Sequence, residues 1–351
     1  MYAFLYAPAH YARAAARRGG ANRGMQAARL GGVLLDTYKF KRRETIPMKK
    51  VLALYYSQTG QLERIMRSVM KPFAGREDVS VTFQEMRPAK PFPFPWPIIE
   101  FFDAFPECVL LLPPRIELPG FDPTVEYDLI VLGYQTWYLS PSLPATGFLK
   151  SEYARVLNGK PVVTVIGCRN MWYRGQKAIR QLIENVGGRL AGNIVLEDQG
   201  GRAETFITVT VWLLTGRREV WKGVLSPAGV AEKDIAGSSH YGEQLLAGLL
   251  DGRLQRGEPV LDGRVSAAVD RRYILPEEVG WRGFRLGARL VRLAGEPGSP
   301  LRIPFLALFA TLLGLGIVTV VPISLILMLL LKRTPRYKNW LEGQARELEG
   351  A

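Results

Sequence analysis

Two cysteines and two histidines in 351 residues exclude much of metal and disulfide chemistry at the outset. Cys108 and Cys168 are too few for a disulfide framework or a cysteine zinc site. His10 and His240 stand too far apart to suggest a histidine centre, so no metal is expected. The chain also lacks both common nucleotide loops: it has no Gly-x-Gly-x-x-Gly turn after its first strand, and no Gly-Lys-Ser/Thr ending that would imply ATP. Acids are nearly missing from residues 1–47, where only Asp36 and Glu44 occur among many Ala, Arg and Gly residues. Nothing in that stretch has the apolar centre of a secretory signal. It reads either as an over-long start ahead of Met48 or as an arginine-rich import segment, and in both cases as a basic extension without a core. Charge of either sign is missing from residues 303–331.

What is present centres on residues 49–61, Lys-Lys-Val-Leu-Ala-Leu-Tyr-Tyr-Ser-Gln-Thr-Gly-Gln. Residues 51–56 form a short apolar run with the look of a strand buried on both faces. A turn of Ser57, Gln58, Thr59, Gly60 and Gln61 follows, and Leu62, Ile65, Met66 and Met70 then recur at helical spacing. Strand, hydroxyl-rich glycine turn and helix start make a phosphate site, because free N–H groups and the helix dipole both favour an anion there. Further apolar runs at 79–86, 127–133, 160–167 and 192–198 alternate with helical patterns, notably 175–186. This order predicts right-handed crossovers and a parallel sheet, with the ligand beyond the carboxyl ends of its strands. Three loops start at those ends: 57–61, 136–138 and 168–172. Between residues 88 and 123 the pattern breaks into proline and aromatics. Those rings must be buried, either against the sheet or as the wall of a pocket for a greasy ligand.

The turn Tyr-Ser-Gln-Thr-Gly resembles the FMN phosphate loop of flavodoxin-like proteins, usually Ser/Thr-x-Thr-Gly-x-Thr, with Leu62 departing from the final Thr. The implied fold is α/β, a flavodoxin-like doubly wound parallel five-stranded sheet. By the same resemblance Thr136, Trp137 and Tyr138 would wall the flavin, while Cys168, Arg169 and Asn170 would line its rim. Three segments taken together, 90–96, 133–142 and 163–172, resemble the flavodoxin-like protein encoded with dialkylresorcinol biosynthesis, described as a condensing enzyme or an aromatase. That resemblance covers about residues 48–250. It implies oxidation of a 2,5-dialkylcyclohexane-1,3-dione to the aromatic resorcinol, with a ketosynthase of the same pathway as a partner. A condensing role would need an activated nucleophile with acid/base partners, which the sequence does not offer; Cys168 reads as a small buried filler. Phe92, Phe94, Trp96, Phe101 and Phe102 are the expected contacts for the alkyl arms, and Tyr134, Tyr138 and Tyr173 the candidate proton handlers. A quinone reductase using NAD(P)H and a non-catalytic flavodoxin-like module are the alternatives.

Beyond residue 203 the expectations are a strand or helix over 206–214 and a helix over 232–250 that contains His240. A linker with little core spans 251–280. Arg282, Arg285, Arg289 and Arg292 then recur at helical spacing, the pattern of a basic helix beside a membrane. The uncharged run 303–331 exceeds the ~20 residues needed to span a bilayer, and reads as a transmembrane or re-entrant anchor followed by a basic tail, 332–351. The net charge of +14 is thereby assigned to membrane lipid rather than nucleic acid. The flavin domain is expected on the cytoplasmic side of the membrane.

Overall fold

Short apolar runs, continuous in the central strands, dictate a sheet covered on both faces. The computed structural model describes residues 48–117, 119–201, 204–262 and 270–349; residues 1–47, and the readings placed on them, lie outside these. Strands β1 (Lys49–Tyr55), β2 (Val79–Glu85), β3 (Leu129–Tyr134), β6 (Pro161–Cys168) and β7 (Arg189–Glu197) pair in the order β2-β1-β3-β6-β7, all parallel. A two-residue ribbon, β4 (Thr136–Trp137) with β5 (Ser140–Pro141), folds the loop after β3 back on itself. Because side chains alternate across a strand, Leu52, Leu54, Ile130 and Leu132 face one layer, while Val51, Ala53, Leu129 and Val131 face the other. The first layer holds α4 (Leu143–Leu149) and α5 (Tyr173–Asn185); the second holds α1 (Gln61–Val69) and α8 (Ser239–Leu250). The crossovers leave β1 in one direction and β3 in the other. This is the flavodoxin-like winding, with its switch point between those two strands.

The proline-rich insertion forms two short helices, α2 (Ile98–Asp103) and α3 (Phe105–Val109). The ambiguous run after β7 is a helix, α6 (Glu204–Thr215), and the expected helix over 232–250 is two, α7 (Glu232–Gly237) and α8. The α/β domain does not end at residue 250, and the expected linker is a correction. It contains α9 (Arg253–Arg256) and the start of α10 (Arg271–Leu293), and its Leu254, Val260 and Leu261 are buried in the α1/α8 layer. Nor is α10 a free basic helix. Ile274, Glu277, Glu278, Ala288 and Val291 are buried against the domain, which leaves Arg282 and Arg289 outside and draws Arg292 inward.

The uncharged segment is one continuous helix, α11 (Ile303–Leu331), which removes the re-entrant hairpin. Leu306, Phe309 and Ser324 are buried at helical spacing, whereas Leu308, Leu312, Leu315, Val318 and Ile323 are exposed. Among the described residues, no helix is long and apolar enough to cross a membrane. The packing gives a separate reason against a crossing. The expected basic tail is a helix, α12 (Pro335–Glu349), whose Ala345 is buried in the layer containing Trp172 and Tyr173. The Tyr173 hydroxyl donates to Gln344 Oε1. Both flanks of α11 are therefore fixed to the same α/β domain.

The root of α11 is held by ions. Arg302 is fully buried; its Nη2 donates to Glu107 Oε2 at 2.9 Å and to the Asp103 carbonyl at 3.2 Å. Arg292 Nη1 reaches the other oxygen, Glu107 Oε1, at 3.0 Å. Removing one member leaves an uncompensated buried charge, which costs far more than the pair contributes. Arg302→Ala should therefore lower stability by about 3–5 kcal/mol in denaturant unfolding. A loss below ~1 kcal/mol would show that Glu107 is adequately solvated without it.

Candidate functional site

The loops after β1 and β3 meet at the switch point. Gln135 Nε2 donates to the Tyr56 carbonyl at 2.7 Å, and the Tyr56 and Trp137 rings meet edge-on at 6.0 Å. In the first loop the Ser57 hydroxyl accepts from the Glu63 amide at 3.1 Å and so caps α1. Gly60 has φ of +78° with open space around it, a conformation that suits glycine and leaves room for a ligand. Among the described residues, the amides of Gln58, Thr59 and Gly60 donate to nothing. Three free amides in an open turn at a helix start form an anion nest. Leu62 is buried in the α1 layer, so the missing hydroxyl of the usual loop is not replaced from that position.

The insertion closes over this turn. Gln58 Nε2 donates to the Pro93 carbonyl at 2.9 Å, and the Trp96 amide donates to the Leu213 carbonyl on α6 at 2.8 Å. Phe94 packs edge-on against Trp212. On the other side, Gln61 Oε1 accepts from the Val230 amide at 3.1 Å. A loop, an insertion and α6 together make a cradle around residues 57–61.

The third loop supplies polar groups. The Arg169 guanidinium lies 3.4 Å over the Phe206 ring, and burial pulls its pKa down to about 10. Arg169 Nη1, Asn170 Oδ1, Gln135 Oε1 and Thr136 Oγ1 are all buried without a hydrogen-bond partner. Orphaned buried polar atoms are costly unless a ligand completes them. Both donors and acceptors are orphaned at this edge. That is the complement of a ring with carbonyl acceptors and an N–H donor, as the flavin of FMN has, and the residues present fit that group. Thr136 also bears on Gly175: a Cβ there would meet Thr136 Oγ1 at 3.0 Å, so glycine near the start of α5 eases the close approach of the loop.

The remaining expected residues fall elsewhere. Trp137 is gripped by Tyr56, Phe92 and Trp96. Tyr138 is held by the insertion, donating its hydroxyl to the Phe101 carbonyl and packing on Phe105. Phe102 lies against Phe309 of α11. Cys168 ends β6, where burial pushes its thiol well up, which suits a filler and not a nucleophile. The three tyrosines named as proton handlers, Tyr134 and Tyr173 buried and Tyr138 half-buried, are bonded internally: Tyr134 to Gln176 Oε1 at 2.8 Å, Tyr138 to Phe101, and Tyr173 to Gln344. His240 is on α8, with its Nδ1 facing the Gly237 carbonyl.

Two carboxyls at this edge escape sequence reasoning. Asp198, just past β7, accepts from the amides of Gly200 and Gly229, and burial raises its pKa despite them. Glu277 comes from α10 and accepts from the Arg174 amide at 2.9 Å at the start of α5, directly after the third loop. No local motif marks Glu277, because its partner lies 103 residues away.

No known family profile matches the chain, and no curated protein matches it. Solved structures do resemble it. A flavoprotein from Lactobacillus acidophilus NCFM in complex with FMN is 19% identical over 42% of this chain and 93% of its own, with a TM-score of 0.34. A flavodoxin from the domain Archaea is 13% identical, covering 57% of this chain and 99% of its own, with a TM-score of 0.30. A WrbA-like flavodoxin from Agrobacterium tumefaciens is 11% identical over 58% and 98%, with a TM-score of 0.31. Likeness at this level carries no argument by itself; the fold assignment rests on the strand order and the switch point.

Burial also sets a pH dependence. Desolvation pushes Glu277 up to about 8, against the backbone N–H groups that favour its charged form. A carboxyl raised above its unfolded value stabilises the fold at low pH, and that contribution fades as pH rises toward 8. The melting temperature of the native chain should thus fall relative to Glu277→Gln between about pH 5 and 8.5, by the equivalent of a few kcal/mol. A difference that stays flat with pH would mean that Glu277 is ionised throughout.

Proposed function

We propose that this chain is an FMN-dependent oxidoreductase that works at a membrane surface on a lipophilic ring substrate. The observation that carries the reading is that the free amides of residues 58–60 and the orphaned polar atoms of Gln135, Thr136, Arg169 and Asn170 all follow the carboxyl ends of three adjacent strands, β1, β3 and β6. The amides and the Thr59 hydroxyl would hold the phosphate, the second and third loops the ring. When bound, FMN supplies the two-electron acceptor chemistry. The protein's own part is to orient, exclude water and hold protons. Pro93, Phe94 and α6 cover the turn, and Arg169 presents a fixed positive charge beside the third loop.

The finer reading is aromatisation of a dialkylcyclohexane-1,3-dione to a dialkylresorcinol. The ring loses two electrons and two protons, one proton from a carbon made acidic by its carbonyl neighbours. It is supported by the resemblance of segments 90–96, 133–142 and 163–172, and by an insertion built of apolar rings. With the three tyrosines sequestered, Asp198 is the carboxyl best situated to hold a proton near the third loop.

Membrane attachment is proposed through the outward face of α11, lying in the plane of one leaflet. What supports it is the exposed row Leu308, Leu312, Leu315, Val318 and Ile323, too large an apolar surface to leave in water. Exposed Arg289, Lys332, Arg333, Arg336 and Lys338 flank it, suited to the anionic headgroups that cytoplasmic leaflets carry. An alkylated ring partitions into lipid, so such a site would meet its substrate there.

Two measurements test these readings. Thr59→Glu sets a carboxylate against the phosphate position and should weaken FMN binding about a hundredfold or more, read as lost absorbance near the visible flavin bands. Full FMN content in that variant would sink the phosphate assignment. For the membrane, Leu308→Glu with Leu315→Glu should abolish flotation of the chain with anionic vesicles. Flotation equal to the native chain, or a carboxyl-terminal tag found inside the vesicles, would refute in-plane seating.

A further inference from the structure

A cavity of about 420 Å³ opens at the carboxyl end of the edge strand β2, and none of the described residues of the three convergent loops lines it. Tyr55 and Glu85 are register partners on the parallel strands β1 and β2, so their side chains stand side by side on the face that α1 covers. Phe83 and Arg67 continue that wall, while Met86, Ile116 and Phe148 supply an apolar wall across the strand end. Most polar groups here are engaged. Arg67 Nε donates to Glu63 Oε1 at 2.9 Å, and its guanidinium lies 5.4 Å over the Phe83 ring. Arg87 Nε donates to Glu85 Oε2 at 3.2 Å, and Gln84 Oε1 accepts from the Gly120 amide at 2.7 Å.

Tyr55 differs. It lines the cavity and is only 7% exposed, and among the described residues its hydroxyl has no hydrogen-bond partner. That oxygen is not sealed from solvent, as the orphaned atoms of the second and third loops are. Burial and the carboxylates of Glu63 and Glu85 push the hydroxyl up, outweighing Arg67 and Arg87, so the field at this oxygen is negative. At the mouth, the exposed Glu117 adds a carboxylate with no partner among the described residues.

We propose that this cavity is a binding site for a small organic cation, an ammonium on a short apolar stem, with Tyr55 and Glu85 as acceptors at its inner end and Glu117 at its mouth. The volume is within the range of small-molecule pockets. A tyrosine hydroxyl accepts as well as donates, and an ammonium offers three donors and no acceptor. An anion would find both guanidinium groups already facing carboxylates and would lie against Glu85 and Glu117. A wholly apolar ligand would bury the Tyr55 hydroxyl without a partner. The site takes no part in the flavin reading and stands or falls without it.

The test uses the full chain and three probes of one shape: benzylammonium, benzyl alcohol and benzoate. Their affinities are measured by saturation-transfer NMR at neutral pH. Benzylammonium should bind roughly tenfold or more tightly than benzyl alcohol, with benzoate weakest. Tyr55→Phe keeps the buried ring and deletes the hydroxyl, and should weaken benzylammonium about threefold to tenfold. Glu85→Gln keeps the side-chain shape and should shrink the preference for the cation over the alcohol. Benzoate binding as tightly as benzylammonium would overturn the proposal and make Arg67 and Arg87 an anion clamp. Unchanged benzylammonium affinity in both Tyr55→Phe and Glu85→Gln would also overturn it, because the amine would then sit on other surface acids. The flavin reading fails separately: Thr59→Glu tests it through FMN content, and that variant should still bind benzylammonium.

Discussion

The reversal of winding between β1 and β3 is the constraint on which the site depends. Crossovers that leave neighbouring strands in opposite directions cannot both cover the carboxyl ends, so a crevice opens there. Backbone amides at the turn out of β1 are then left without partners inside the fold. The Ser57 hydroxyl stabilises the turn rather than fills the crevice, as the bond from the Glu63 amide shows. The chemistry that can occur is fixed by what completes those amides and by what covers them.

The cover is unusual for its ring content. From Tyr56 through Trp137, Trp96, Phe101 and Tyr138 to Phe105, neighbouring rings lie 5.2–6.0 Å apart, and Phe105 then stacks on Phe309 of α11. Each such pair contributes about 0.5–1.5 kcal/mol beyond its buried area. The series joins the turn after β1 to the apolar helix without a break. Cys108 reinforces it from below, its thiol facing the carbonyls of Trp137 and Pro141 at 3.3 Å. The insertion is thus one packed layer between the turn after β1 and α11, and its rings are divided among three neighbours, namely α6, the loop after β3 and α11.

Much of this was legible in residue order. The five strands, their parallel sense and the three convergent loops follow from apolar runs separated by helical periods, because those signals are local. The glycine turn showed where the first loop opens, with Gly60 at a φ of +78°. What was hidden depends on distant partners. Glu277 looks like one more acid on a charged helix until α10 folds onto the start of α5. Residues 251–262 read as a linker because Leu254, Val260 and Leu261 are sparse, yet each is buried. The run 303–331 has the composition of a bilayer span, and only the docking of α12 onto the Tyr173 side shows that its two ends share one domain. Tyr138 has the right position for a flavin wall, but its side chain goes where Phe101 and Phe105 hold it.

Tyr138 and Leu139 share a further property. Both have left-handed backbones, with φ of +49° and +59°, a conformation that costs a non-glycine residue on the order of 1–2 kcal/mol. Two consecutive residues of this kind persist only because neighbours pin them: the Phe101 carbonyl takes the Tyr138 hydroxyl, and a Leu139 methyl comes close to Gly280 of α10. The loop after β3 is therefore a latched spring. Its catch sits on α2 and α10 rather than on the sheet, so a movement of either helix would release backbone strain beside Trp137.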